Sequence, residues 1–118
     1  MQLSIRPEQH RVFEDRGLRT FAAEVASILA PIVANRPIAH AGPVDADFAV
    51  AQLERARAHG LARRDEGMAW TLCALVYGPD FDQRMPQVRR IVADPNYDRS
   101  VLLTQLAVTE LKKGSPTP

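Results

Sequence analysis

Between Asp65 and Gly78 the chain carries Met68, Ala69, Trp70, Leu72, Cys73, Ala74, Leu75, Val76 and Tyr77 with almost no polar side. A helix that is apolar all round cannot lie on a surface, so this segment is predicted to be the central, buried helix on which the rest of the chain packs. Asp65 and Glu66 at its start suit the positive end of the helix dipole, and Gly78-Pro79 stops it. A buried helix needs covering elements on every side, and the flanking sequence supplies further helices.

Upstream, Leu18, Phe21, Ala22, Val25, Ile28, Leu29 and Ile32 recur at the spacing of one helical face. Pro31 is expected to kink or end that helix within its last turn. Pro7 and Glu8 open a short helix to about Asp15; Val12 and Phe13 fall off the face of the next one, so a bend or break is expected near Gly17. The stretch 35–43 holds Pro37, Gly42 and Pro43 and reads as a loop. Asp45 offers an N-cap for a helix to about His59, with Gly60 as its left-handed C-cap. Phe48, Val50, Leu53 and Ala56 wrap around that helix rather than forming one stripe.

Past Gly78, a loop Asp80-Phe81-Asp82 leads to a short helix over 86–93, and Asp94-Pro95-Asn96 makes a turn. Asp98 caps a last helix to about Lys112, with Lys112 and Lys113 at its negative end. No internal repeat and no strand-like alternation interrupts the pattern. The expected fold is an all-α bundle of five or six helices, one domain over 1–118 with tails at 1–6 and 114–118. At 118 residues and 46% hydrophobic composition, one core suffices without disulfides or metals. Its expected members are Phe21, Val25, Leu29, Leu72, Leu75, Val76, Phe81, Ile91, Val101 and Val108.

Fifteen Lys plus Arg against fourteen Asp plus Glu leave a formal charge of +1, so no global field favours nucleic acid, anionic lipid or acidic substrates. The opening residues lack a basic region followed by a long apolar stretch, and no segment reaches the roughly 18–20 apolar residues of a membrane span, so the expected location is the cytoplasm with no membrane partner. The single cysteine, Cys73, sits inside the apolar run and reads as a small buried hydrophobe.

Catalytic and metal chemistry find little support. His10, His40 and His59 are isolated, so zinc has no ligand pairs, and no cofactor is implied. Asp80 and Asp82 are spaced for a cation or an acid–base pair, but the other oxygen ligands of a calcium loop are missing. The expected arrangement is Phe81 anchored in the core with the two aspartates solvated or capping. No Ser or Thr lies in a glycine-rich elbow, and no phosphate-binding glycine loop is present.

Two features could serve a partner. Arg55, Arg57, Arg63 and Arg64 form the densest basic group, though Glu54, Asp65 and Glu66 lie among them, and a salt-bridged solvated face is the expected outcome. A helix-turn-helix over 45–77 with its turn at Gly60 would place too apolar a second helix in a groove. On the last helix, Val101, Thr104, Ala107, Val108 and Leu111 are expected to face inward, leaving Leu102 and Leu106 as an i, i+4 pair on the other side. That pair is either covered by another element or open to a partner, including a second copy of the chain.

Ile5, Glu8-Gln9, Phe13 and Phe21, then His59-Gly60-Leu61, then Gly78 with Phe81-Asp82, Pro86, Ile91 and Asp94-Pro95, resemble a family of short helical proteins over about residues 5–103. These are proteins encoded beside the spike genes (VgrG and PAAR) and effectors of bacterial type VI secretion clusters. The resemblance implies a non-catalytic, cytoplasmic accessory protein, an adaptor or chaperone for an effector or spike component; the family pattern transfers no catalytic residue. An immunity protein that binds and blocks a cognate toxin is the alternative within the same setting. A reading of another class, a small nucleic-acid-binding domain, requires Arg55, Arg57, Arg63 and Arg64 to converge on one exposed face.

Overall fold

The computed structural model of the chain describes residues 15–94 and 98–113. Six helices, and no strand, make up the described residues: α1 Asp15–Val33, α2 Ala46–Ala58, α3 Arg64–Tyr77, α4 Phe81–Arg84, α5 Pro86–Ala93 and α6 Arg99–Lys113. The fold is an all-α bundle. The short helix expected before Asp15 and the turn at Asp94-Pro95-Asn96 lie wholly or partly outside the described residues.

α3 is the hub, in contact with α1, α2, α4 and α6, and every residue from Ala69 to Val76 is buried. Fully burying one Leu or Val side chain stabilises by about 1.5–3 kcal/mol, so these roughly two turns of all-round burial outweigh any local propensity. Its few polar groups are satisfied within the core. Trp70 Nε1 donates to Gln52 Oε1 at 3.2 Å, and Thr71 Oγ1 donates to the Gly67 carbonyl at 2.8 Å. At the C-terminal end, orphan carbonyls of α3 are taken by the connecting loop: Ala39 N–H donates to Val76 O and His40 N–H to Leu75 O.

Local signals set the ends of α2. The Asp45 carboxylate accepts from Phe48 N–H at 3.0 Å. At the other end, Gly60 takes φ +83°, its N–H donates to Arg57 O, and Leu61 N–H reaches back to Ala56 O. That is a Schellman motif, sealed by the fully buried Leu61.

Four expectations are corrected. α1 runs from Asp15 through Gly17 without a break, because a single helical glycine costs only about 0.5–1 kcal/mol, less than the burial of the stripe that follows it. Ile28 and Ile32 lie on the flank of the α1 stripe and stay 46% and 43% exposed, while Ala26 and Val33 take core places. Asp80-Phe81-Asp82 is not a loop: Phe81–Arg84 forms a helical turn in which Phe81 is fully buried and Asp82 is buried rather than solvated. On α6 the inward residues are Ser100, Leu103, Ala107 and Leu111; Val101 is 46% exposed, Thr104 is exposed and Val108 is half-buried. The buried face is rotated by roughly 60° from the expected one, counting about 100° per residue. Of the expected core, Phe21, Val25, Leu29, Leu72, Leu75, Val76 and Phe81 are buried, and Ile91 packs half-buried against them.

Candidate protein-binding groove

α1 and α6 both pack on α3 but make at most a marginal contact with each other. The seam between them is open. It forms a groove of about 390 Å³, floored by Met68, Ala69 and Leu72 of α3 and walled by Ile28 and Ile32 of α1 and Val101 of α6. Ile28, Ile32 and Val101 are the three large hydrophobic side chains left exposed among the described residues, and all three stand on this one groove. Isolated exposed hydrophobics are ordinary, whereas three on one groove make it a candidate contact surface.

The polar rim carries little free charge. Ser100, Thr104 and Gln105 are uncharged, and the one carboxylate, Asp65, is engaged: Arg63 Nη2 donates to it at 2.5 Å, Glu66 N–H at 2.9 Å and Ser100 Oγ at 3.2 Å. Behind it, the buried Glu66 accepts from Arg63 N–H and from Arg99 Nη2, each at 3.2 Å, and Arg99 Nη1 also donates to Val92 O. This network fixes the start of α6 against the start of α3, and so places the α6 wall of the groove.

The arginines singled out by sequence do not gather on one face. Arg55 binds Asp82 Oδ1 at 2.5 Å and the Pro79 carbonyl, Arg57 is engaged, Arg63 pairs with Asp65, and Arg64 reaches across to Glu24 at 2.8 Å with its guanidinium 4.3 Å above the Phe21 ring. The Asp65 side chain beside Arg63 raises its pKa further. Leu102 and Leu106 are half-buried and line a second depression of about 530 Å³ between α5 and α6, beside Tyr77, Met85 and Ile91. Leu106 packs on the core, and Tyr77 OH donates to its carbonyl at 2.7 Å.

Asp80 and Asp82 diverge. The exposed Asp80 pairs with Arg84 Nε at 3.0 Å, and that hydrogen bond holds its carboxyl below the usual range. Asp82 turns inward, where it accepts from Arg55 and from His59 Nε2 at 3.1 Å. His40 Nε2 lies 3.0 Å from Pro43 O, with its ring against Phe48. Among the described residues no three His, Cys, Asp or Glu side chains group to hold a metal ion, and no helix is long and apolar enough to cross a membrane. Burial pushes the Cys73 thiol up to about 12, and its Sγ donates to Leu103 O at 3.2 Å.

Sequence reasoning missed the groove although it named each wall. Ile28 and Ile32 belong to the expected α1 core stripe and Val101 to the expected α6 face; the available signal is the width of the α1 stripe, broader than the arc that α2 and α3 together cover. The chain matches no family model, no curated protein and no solved structure at a significant level.

Proposed function

We propose that this chain is a non-catalytic accessory protein of a bacterial type VI secretion cluster. In this reading it acts in the cytoplasm as an adaptor or chaperone, holding an effector or spike component before export. The observation that carries the binding role is the gathering of Ile28, Ile32 and Val101 on one open groove. The secretion setting rests on the resemblance carried by His59-Gly60-Leu61, Phe81-Asp82 and the accompanying positions.

The occupant that fits is an apolar-striped helix of the partner. The groove runs between two helices over a third, so an added helix would close the layer around α3 by ridge-into-groove packing. The uncharged rim of Ser100, Thr104 and Gln105 asks for no charge on the facing stripe. Covering three half-exposed aliphatic side chains would contribute about 1 kcal/mol each, with the partner's own burial added.

Expression of the tagged chain in its native host, with co-purifying proteins identified against an Ile28→Glu/Val101→Glu variant, tests the proposal. Recovery of an effector or spike component by the parent chain and its loss from the variant is the expected result. Equal recovery by both, or recovery of nothing above an untagged control, would remove the groove's role. If the captured effector is an active toxin that the chain silences, the immunity reading replaces the adaptor one.

A further inference from the structure

We propose that a pocket between the end of α2 and α5 is a second docking site, built to take an acidic, leucine-bearing segment of a protein. The pocket measures about 240 Å³ and is lined by His59, Asp82, Val88, Arg89, Val92 and Ala93. It shares no residue with the groove between α1 and α6, and the inference does not rest on the secretion reading.

Charge decides the occupant. The one carboxylate in the pocket, Asp82, is already engaged by Arg55 at 2.5 Å and His59 Nε2 at 3.1 Å. Arg89, by contrast, is exposed and has no partner among the described residues; the same holds for Arg90 beside it. Every other arginine whose side chain is described is engaged. Arg19, Arg55, Arg63, Arg64, Arg84 and Arg99 stand in ion pairs, and Arg36 and Arg57 are also held. α5 itself contains no acidic residue. Unspent guanidinium charge is therefore concentrated on the helix that walls an apolar pocket, which calls for a carboxylate on the approaching group and an aliphatic side chain beside it. Nucleic acid fits less well, since it asks for a row of cations along a backbone track rather than two on one short helix next to Val88, Val92 and Ala93.

The pocket carries its own reporter. Trp70, the chain's single tryptophan, stacks under the His59 ring with centroids 5.1 Å apart and a 30° tilt, so filling the pocket against His59 alters its emission. The experiment is calorimetric titration of the full chain with the peptide acetyl-Asp-Leu-Glu-Leu-Asp-amide, followed in parallel by Trp70 fluorescence. A Lys-for-acid version of the peptide and a short oligothymidylate serve as contrasts. The acidic peptide is expected to bind with a saturable change in emission, and the basic peptide not to bind. Arg89→Glu, at an exposed position the fold does not need, should weaken binding about tenfold or more; Arg90→Glu, about 100° further round the helix, should weaken it only about two- to threefold. Ile28→Glu should leave peptide binding unchanged. Absence of binding, equal binding by Arg89→Glu, binding without a change in Trp70 emission, or tighter binding of oligothymidylate would each overturn the proposal.

Discussion

Cys73 and Tyr77 lie one turn apart on α3, and each donates its hydrogen to a backbone carbonyl of α6, Leu103 O and Leu106 O respectively. Burial is the first cause that pushes both up to about 12, with Glu110 adding to the effect at Tyr77. For acids whose folded pKa is raised, the folded state holds protons that the unfolded chain has lost. Their contribution is complete below the unfolded pKa values, near 9 for the thiol and 10 for the phenol, and is lost as pH rises toward 12. Thermal melting followed by circular dichroism should therefore show Tm falling steadily above about pH 9, as stability drops by no more than about 1.4 kcal/mol per pH unit for Cys73 and by less for the half-buried Tyr77. A flat Tm over that range would contradict the protonated, donating state of the buried thiol and the half-buried phenol. The same burial predicts that Cys73 reacts with a thiol reagent only as fast as the chain unfolds.

Gly60, with φ +83° and no neighbour near its missing side chain, isolates backbone strain from crowding: Gly60→Ala should cost about 1 kcal/mol in denaturant melts. Such residues were legible in the sequence, because a cap or a left-handed turn is dictated by neighbours in the chain. Asp45 and Gly60 are read from three or four adjacent positions. The inward turn of Asp82 was not legible, since its partners Arg55 and His59 lie 27 and 23 residues away and only the packing of both α2 and α4 on α3 brings them together.

At the scale of elements, helix existence followed from periodicity, whereas helix rotation did not. The span of α5 agrees with expectation to the residue, because Pro86 at its first turn and the extended Asp94 at its end are local signals. For α6 the apolar residues cover most of the circumference, and which arc faces inward is set by α3 and α5 rather than by α6. Leu103, absent from the expected face, is fully buried at its centre. Leu103→Ala should thus destabilise by about 2–5 kcal/mol, and Val101→Ala by less than about 0.5 kcal/mol. Reversal of that order in chemical denaturation would restore the sequence-based rotation. The Arg99–Glu66 pair anchors the start of α6, with the two side chains 21% and 4% exposed. Arg99→Ala leaves a buried carboxylate with one backbone donor and should cost about 3 kcal/mol, whereas an exposed pair such as Arg19–Asp47 should contribute less than about 1 kcal/mol.

For the whole molecule, the arrangement of α1, α2, α4 and α6 around a helix that is apolar on all sides follows from the run of apolar residues from Met68 to Tyr77. What the sequence could not express is that the covering is incomplete. α1 spends its contacts on α2 and α3, α6 on α3 and α5, and the seam between α1 and α6 is left with three aliphatic side chains facing solvent. A candidate contact surface of this kind is a property of the gaps between elements, so it becomes visible only once the elements have been placed. Whether the groove holds a partner can be read by site-specific photo-crosslinking in the native host. A photoreactive phenylalanine analogue would replace Ile28 or Val101 in turn, with the exposed Ala51 on α2 as the control position. Crosslinks from both groove positions to the same effector or spike component, and none from position 51, are the expected result. Crosslinks only to a second copy of the chain, equal labelling from position 51, or no crosslink from the groove would contradict it.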